Sequence, residues 1–339
     1  RLVSAGVCGS RVTVHQGNPA DTGYPNYCAD LIVSSRRLAE PAAALSPTEI
    51  QRLQRPFGGA VCLGSLGNFE VQRRGALDGG GSWTHQNSDA ANTLCSADQL
   101  VRGPLEVAWY RDGVLEIPDR HAQGPAPLFN RGYLVVEGVH GVCALDAYNG
   151  RTRWVYPIPE ILADWDGVHH DVGVGETGSN FCLSDDAVFV RTGERCLKID
   201  LATGRLAAEF KTPVDAAAED RAWGYVAHAD GVLFGSVLNR AHTVSPRYHG
   251  IGLRTESVLF FALDASTGQV LWQYRPTHSI RNNAIAIADG RVYLIDRPLA
   301  TARSWAAGTP PASPRRLRPV PPRPGRSHRG MLAASGCTG

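Results

Sequence analysis

The chain has 339 residues, of which 43% are hydrophobic and 19% charged, with 37 glycines and 22 prolines. This composition predicts a folded chain with room for two domains, and no apolar run is long enough for a transmembrane helix. Residues 1–296 hold 26 basic and 32 acidic side chains, a net charge of −6, and no acidic residue follows Asp296. The folded body therefore lacks the basic surface that nucleic-acid binding needs, and no nucleic-acid partner is expected for it.

Residues 1–74 are predicted to form a partial α/β segment. Short apolar runs at residues 12–15, 31–34 and 60–63 indicate strands. Between the last two, Ser46-Pro47-Thr48-Glu49 has the pattern of a capping box and predicts a helix that begins at Pro47. Because uniformly apolar strands alternate with a helix, a parallel sheet is expected.

This segment resembles the second half of a class I S-adenosylmethionine-dependent methyltransferase. The likeness rests on Tyr24-Pro25 before the strand at 31–34, and on the turn at residues 52–59, where Phe57 is inserted into the family pattern. The resemblance implies that Asn18 lies near the adenine and Ser34 near the ribose of S-adenosylmethionine. Asn18 replaces the usual acidic residue, and the family's glycine-rich first loop is not in the chain, so no useful cofactor affinity is expected.

Residues 75–103 are predicted to be a linker followed by a lead-in to the next domain. Gly79-Gly80-Gly81 lacks the lysine and the following helix of a phosphate-binding loop, so it is interpreted as linker.

Three repeated turns dominate residues 104–300. Each follows an apolar run, and each has a glycine four residues after an aspartate, at Asp146-Gly150, Asp200-Gly204 and Asp264-Gly268. Aspartate binds nearby amides and glycine adopts positive φ, so each turn is predicted to be a hairpin. Tryptophan follows the first and last glycine, as Trp154 and Trp272, and is expected in the core. The three aspartates are 54 and 64 residues apart, a spacing that suits a four-stranded blade with long loops. The repeat therefore predicts an incomplete β-propeller.

The repeated unit resembles the pyrroloquinoline-quinone (PQQ)-like β-propeller family, whose Ala-Leu-Asp-Ala-x-x-Gly-x-x-x-Trp signature is closely matched at residues 262–272. The resemblance covers roughly residues 83–300. Residues 83–93 look like the family's entry segment, which implies that its first tryptophan-containing strand lies at residues 105–110. It implies the propeller fold and favours a periplasmic or extracytoplasmic location. The family's dehydrogenases use calcium, a catalytic aspartate and two adjacent cysteines. Since no Cys-Cys pair occurs here, a propeller without bound quinone is expected.

Candidate chemical groups outside the repeats are sparse. The densest cluster is His169-His170-Asp171, but adjacent side chains on an extended chain point apart, so no metal site is predicted. The long loop between Asn239 and Ser257 is predicted to contact a protein partner or small ligand, because loops on rigid scaffolds often carry binding. The eight cysteines lack C-x-x-C spacing and lie mostly in apolar runs, which favours buried free thiols.

Residues 301–339 are predicted to be a disordered tail, since they are rich in proline and arginine and have no periodic apolar pattern. The propeller ring is expected to be open. Because the chain starts with Arg1 and its only methionine is Met331, it is expected to be a fragment of a longer protein.

The sequence as a whole predicts a mainly β protein, with an incomplete PQQ-like propeller after a partial Rossmann-like segment. The predicted function is binding or scaffolding, with no catalytic residue, no metal ligand and no chemistry by this chain. Two alternatives stay open. One is a quinoprotein dehydrogenase with PQQ and calcium, and the other is a methyltransferase whose N-terminal half lies upstream.

Overall fold

The computed structural model describes residues 1, 3–9, 11–34, 46–65, 67–118, 124–163, 179–213, 221–239 and 255–299. The cluster at residues 169–171, most of the loop after Asn239 and the tail at 301–339 lie outside these residues. Strands dominate the described part, as one small α/β unit followed by antiparallel sheets. No helix in these ranges is long and apolar enough to cross a bilayer.

A short parallel β-α-β unit precedes the sheets. Strand β1 (Leu31–Ser34) pairs in parallel with β2 (Ala60–Ser65), and helix α1 (Pro47–Leu53) connects them. The hydroxyl of Ser46 accepts the amide N–H of Glu49 at 3.1 Å, so the predicted helix start is confirmed. The core between the helix and the sheet consists of Ile32, Leu53 and Val61.

Two features of this N-terminal segment differ from expectation. Residues 12–15 form no strand: Val12 makes one isolated bridge to Cys8, and Val14 is 73% exposed, because no strand lies beside them to pair with. In addition, β3 (Asn68–Arg73) folds back antiparallel onto β2. The described residues therefore contain one parallel pair in a three-stranded sheet, and a Rossmann-like sheet is not seen in them.

Three sets of four consecutive antiparallel strands form propeller-like blades, the first two as separate four-stranded sheets and the third within a six-stranded sheet. Blade 1 comprises β4 (Leu128–Asn130), β5 (Tyr133–Gly138), β6 (Gly141–Asp146) and β7 (Thr152–Pro157). Blade 2 comprises β8 (Phe181–Leu183), β9 (Ala187–Thr192), β10 (Arg195–Asp200) and β11 (Leu206–Lys211). Blade 3 comprises β12 (Trp223–Ala229), β13 (Val232–Leu238), β14 (Glu256–Asp264) and β15 (Val270–Tyr274).

Further short strands follow blade 3. Strand β16 (Ser279–Arg281) pairs with the start of β14 and with β19 (Asp296–Arg297). Between them, β17 (Ala286–Ala288) and β18 (Arg291–Tyr293) form a two-stranded hairpin. Separate apolar clusters fill the spaces between blades 1 and 2, between blades 2 and 3, and between blade 3 and this hairpin.

The three predicted hairpins are confirmed at equivalent positions, between the third and fourth strands of each blade. Gly150, Gly204 and Gly268 have φ of +70°, +69° and +75°. The amide of each glycine donates to the carbonyl oxygen of the aspartate four residues before it, at 2.8–2.9 Å. The aspartates are therefore turn residues, as expected.

An aromatic side chain docks each of these turns onto a neighbouring segment. The indole N–H of Trp154 in blade 1 donates to the carbonyl of Leu201 in blade 2 at 2.8 Å, and a Cβ at Gly204 would lie 2.5 Å from its ring. Phe210 of blade 2 packs in the same way against Gly268 of blade 3. Glycine is thus required at these turns by close approach as well as by φ.

The expected strand at residues 105–110 is not formed. These residues are extended and mostly exposed, with Leu105 76% and Tyr110 86% exposed. Its tryptophan nevertheless takes the docking position, since Trp109 donates to the carbonyl of Ala147 at 3.0 Å and packs on Gly150. Trp109 therefore packs on the turn of blade 1 although its own segment pairs with no strand.

The α/β segment is fixed to blade 1 by a buried ion-pair network. Arg55 contacts Asp30 at 2.5 Å and Asp146 of the first blade turn at 3.2 Å. Arg153 pairs with the same Asp146, whose side chain is fully buried. The inserted Phe57 contacts blade 1 as well, 3.1 Å from the position that a Cβ on Gly132 would occupy.

Candidate functional site

A cavity of about 510 Å³ opens between blades 2 and 3, and we call it the interblade cavity. Its walls come from the β8–β9 turn, the β12–β13 turn, strand β10 and the segment at residues 83–92, which we call the lead-in segment. The chemically distinctive side chains that line it are Asp185, Asp186, Lys198, His228 and Asp230.

Two tight turns hold the carboxylates at the mouth. In the β8–β9 turn, the amide of Ala187 donates to the hydroxyl of Ser184 at 2.9 Å, and that hydroxyl donates to Asp186 at 2.7 Å. In the β12–β13 turn, Asp230 and Gly231 both have positive φ, which aspartate and glycine tolerate. Local turn chemistry thus presents the three carboxylates to solvent.

Lys198 and His228 line the cavity and both contact the ring of Phe189, which is buried and does not line it. The His228 ring stacks on Phe189 with centroids 5.2 Å apart and an interplanar angle of 10°. The Lys198 ammonium lies 5.7 Å from the centroid of the same ring and donates to the carbonyl of Ala265 at 3.3 Å. The Phe189 ring therefore positions the basic end of the site.

A buried, neutral histidine of the lead-in segment, His85, contacts the backbone of the lining residue His228. Nε2 of His85 accepts the backbone N–H of His228 at 3.2 Å, so Nδ1 carries the proton and faces the Thr84 hydroxyl at 2.9 Å. Burial lowers the pKa of His85 to about 3. Desolvation also lowers the pKa of His228.

The lead-in segment crosses the first strands of successive sheets. Trp83 exchanges backbone hydrogen bonds with Phe129 of β4, and the carbonyl of Thr84 accepts from Leu183 of β8 at 2.9 Å. Farther along, the carbonyl of Ala90 accepts from Ile287 of β17 at 2.7 Å. With the contact to His228 in β12, the lead-in segment touches the sheets of all three blades and the β17–β18 sheet.

Comparison with known proteins gives limited guidance. No protein-family model and no curated protein sequence match the chain. Among solved structures, BamB from Moraxella catarrhalis is 17% identical over 53% of this chain and 45% of its own, with a TM-score of 0.30. A quinohemoprotein alcohol dehydrogenase from Pseudomonas putida HK5 is 15% identical over 63% of this chain and 34% of its own, with a TM-score of 0.40.

A europium-containing methanol dehydrogenase is 16% identical over 64% of this chain and 56% of its own, with a TM-score of 0.35. The chain thus spans less than two thirds of the length of each of these three proteins. At such scores the likenesses assign no family, and the propeller-like description above rests on the strand order of the blades.

The two residues predicted near a methyl-donor cofactor lie in separate places. Asn18 is exposed, and its side-chain oxygen accepts the amide of Ala20 at 2.9 Å within a local turn. Ser34 ends β1, in register with Leu63. No contact joins Asn18 to Ser34 among the described residues, and their predicted roles stay predictions.

The cysteine expectation is confirmed for part of the set. Cys143, Cys182 and Cys196 are buried free thiols, and burial raises the pKa of Cys143 to about 11. For Cys8 and Cys95 the expectation is wrong, because both are exposed in poorly packed segments. No cluster of three histidine, cysteine or acidic residues suited to a metal occurs in the described part of the chain.

The interblade cavity was missed at the sequence level. Its carboxylates, Asp185, Asp186 and Asp230, lie in the turns between consecutive strands, where acidic residues are common and indicate no site by themselves. A signal was present, however, since Lys198 is one of only two lysines in the chain and lies in a blade strand.

Proposed function

We propose that this chain is a binding and scaffolding module of the PQQ-like β-propeller type that does no chemistry itself. The observation that carries the proposal is the interblade cavity, which presents polar groups on sheets tied together by docked aromatic rings and by the lead-in segment. Its three carboxylates outnumber the single ammonium, and His228 is neutral at pH 7. The site therefore favours a partner segment with a lysine or arginine side chain.

Two further features belong to this proposal. The loop between Asn239 and Ser257, which joins β13 to β14, is proposed to add to the partner surface. A periplasmic or extracytoplasmic location, favoured by the propeller resemblance, is proposed as well, and fractionation of cells that express the natural gene tests it.

Peptide binding tests the proposal directly. Fluorescence anisotropy would compare an arginine-containing peptide with its citrulline counterpart, which has nearly the same shape and no charge. We expect the arginine peptide to bind more tightly, and Asp230→Asn to weaken it several-fold. Asp289→Asn is the matched control, because Asp289 begins the equivalent turn of the β17–β18 hairpin and also has positive φ. Equal binding of both peptides would contradict the proposal.

The two alternatives have their own tests. Reconstitution with PQQ and calcium, followed by a dye-reduction assay, would reveal a quinoprotein dehydrogenase, and clear quinone-dependent activity would overturn the claim of no chemistry. The parallel β1-α1-β2 unit favours a methyltransferase remnant, for which calorimetry with S-adenosylmethionine is the test. Micromolar binding would support that alternative and make Asn18 and Ser34 its first candidates.

A further inference from the structure

A second cavity, of about 520 Å³, lies where the α/β segment, the glycine linker and blade 1 meet. We call it the aromatic cavity, because five rings from five separate stretches of chain line it. These rings belong to Tyr27, Phe57, Trp83, Phe129 and Tyr148. Its wall also contains one carboxylate, that of Asp98.

The rings form walls at steep angles to one another. Tyr148 meets Tyr27 and Phe129 edge to face, with centroids 5.9 Å and 6.5 Å apart. Trp83 is held beside Phe129 by paired backbone hydrogen bonds of 2.8 and 2.7 Å. The cavity is therefore bounded by aromatic rings of which these two pairs are not stacked face to face.

The described lining of the aromatic cavity carries negative charge only. No lysine, arginine or histidine lies among the described residues that line the cavity. The Asp98 carboxylate is oriented by the backbone N–H groups of Gly81 at 2.9 Å and Val101 at 2.8 Å. These bonds lower the pKa of Asp98, so it is charged at neutral pH, whereas burial raises the pKa of Tyr148 to about 12 and keeps its phenol neutral.

A cation already lies against this group of rings. The guanidinium of Arg74 lies 5.0 Å from the centroid of Tyr27 and is not part of the cavity lining. Anionic ligands find no positive partner in the described lining. The Asp98 carboxylate accepts three backbone N–H groups, those of Gly81, Leu100 and Val101, and keeps its negative charge, from which a neutral apolar ligand would gain nothing. Aromatic faces combined with one carboxylate suit a weakly hydrated positive charge.

We propose that the aromatic cavity binds a small organic cation with an alkylated ammonium group. The rings supply cation–π attraction to the methyl-covered charge, and Asp98 supplies the counter-charge. The aromatic cavity is separate from the interblade cavity. The binding result for one cavity therefore does not decide the proposal made for the other.

Calorimetry on the intact chain tests this proposal with choline and its uncharged carbon isostere, 3,3-dimethylbutan-1-ol. We expect saturable binding of choline and about ten-fold weaker binding of the isostere. Equal binding of the two would show an apolar pocket that ignores charge. Absence of choline saturation at millimolar concentrations would also overturn the proposal.

Variants then assign the binding to this cavity. Asp98→Asn keeps an oxygen acceptor for the surrounding amides and removes the charge, while Tyr148→Leu removes one ring. We expect each to weaken choline binding about five- to ten-fold. Tyr293→Leu is the control, since Tyr293 is an exposed tyrosine on β18 and should change nothing. If Tyr148→Leu fails to fold, the choline affinity of Asp98→Asn alone tests the proposal. An unchanged choline affinity in folded Asp98→Asn would contradict it.

Discussion

The three turn aspartates occupy the same position in their blades and have different partners. The side-chain oxygen of Asp200 accepts from the hydroxyl and amide of Thr203 at 2.7 and 2.8 Å, and Asp264 accepts from the amides of Ser266 and Thr267. Both are partly exposed. Asp146 instead is fully buried and accepts from two arginines, one of which belongs to the α/β segment. A repeated motif therefore has one copy adapted to an interface.

This difference predicts unequal costs for the same substitution. Asp146→Asn should lower the free energy of unfolding by about 3 kcal/mol, because it leaves a buried arginine with less compensating charge. Asp264→Asn should cost less than about 1 kcal/mol, because an amide oxygen still accepts the turn N–H groups. Urea denaturation followed by circular dichroism measures both variants. Equal losses of unfolding free energy in the two variants would show that the arginine contacts of Asp146 add nothing to the stability of its turn.

His85 predicts a dependence of stability on pH. Its pKa falls from 6.5 to about 3 on folding, so between these values the unfolded state binds the extra proton. Stability should therefore decrease as pH falls below 6.5, by up to ~1.4 kcal/mol per pH unit. His228, whose pKa is also lowered, acts in the same direction.

The measurement is a urea melt at neutral pH and at about pH 5, a window in which the shifted histidine titrates only when unfolded. His85→Gln should flatten the pH dependence, whereas His278→Gln, at an exposed site, should leave it unchanged. If the free energy of unfolding changed with pH equally in the wild type and in His85→Gln, the pH dependence would belong to other groups.

At the scale of elements, the sequence predicts what is decided locally. The Asp-x-x-x-Gly hairpins and the capped helix α1 were predictable, because a few neighbouring residues determine φ and the local hydrogen bonds. The strand at 31–34 and the first part of β2 were predictable from their apolar runs. Most of the blade architecture follows from these local signals and their repetition.

Features that depend on distant contacts were not predictable. Residues 12–15 have strand-like composition but no neighbour to pair with, and residues 105–110 dock Trp109 without joining a sheet. The two cavities combine side chains from segments far apart in sequence, so no single window contains either site. Phe57 is recognisable in the sequence as an insertion, but its contact with blade 1 is seen only in the three-dimensional structure.

The aromatic docking between blades predicts a difference between two glycines. Gly204→Ala places a Cβ 2.5 Å from the Trp154 ring and also strains a φ of +69°. Gly193→Ala strains a φ of +54° with no atom within 4 Å of the new Cβ, so it measures the backbone cost alone. We expect about 1–2 kcal/mol for Gly193→Ala and an additional 1–3 kcal/mol for Gly204→Ala. Thermal melts and Trp154 fluorescence would report the comparison, and equal costs would contradict tight docking.

At the scale of the whole molecule, the lead-in segment ties together sheets that otherwise contact only their neighbours. It reaches β4, β8 and β17 by backbone hydrogen bonds and β12 through the side chain of His85, although its residues lie before all of these strands in the chain. The β17–β18 hairpin depends most on it, since this two-stranded sheet has no other strand partner among the described residues. Stability should therefore decrease from blade 1 toward this hairpin.

Asn92 offers a selective test of that arrangement. Its side-chain amide donates to the carbonyl of Ile285 at 2.6 Å, and its φ is +58°. Asn92→Gly keeps this backbone conformation and removes this hydrogen bond, together with the one that the side-chain oxygen of Asn92 accepts from Asn87 at 3.2 Å, so it should loosen the hairpin without adding backbone strain. Hydrogen exchange should then be faster at Ile287, whose amide bonds to Ala90, while amides of β5 and β6 in blade 1 serve as the internal control. Unchanged exchange at Ile287, or equal acceleration in blade 1, would show that the lead-in segment does not hold the hairpin in place.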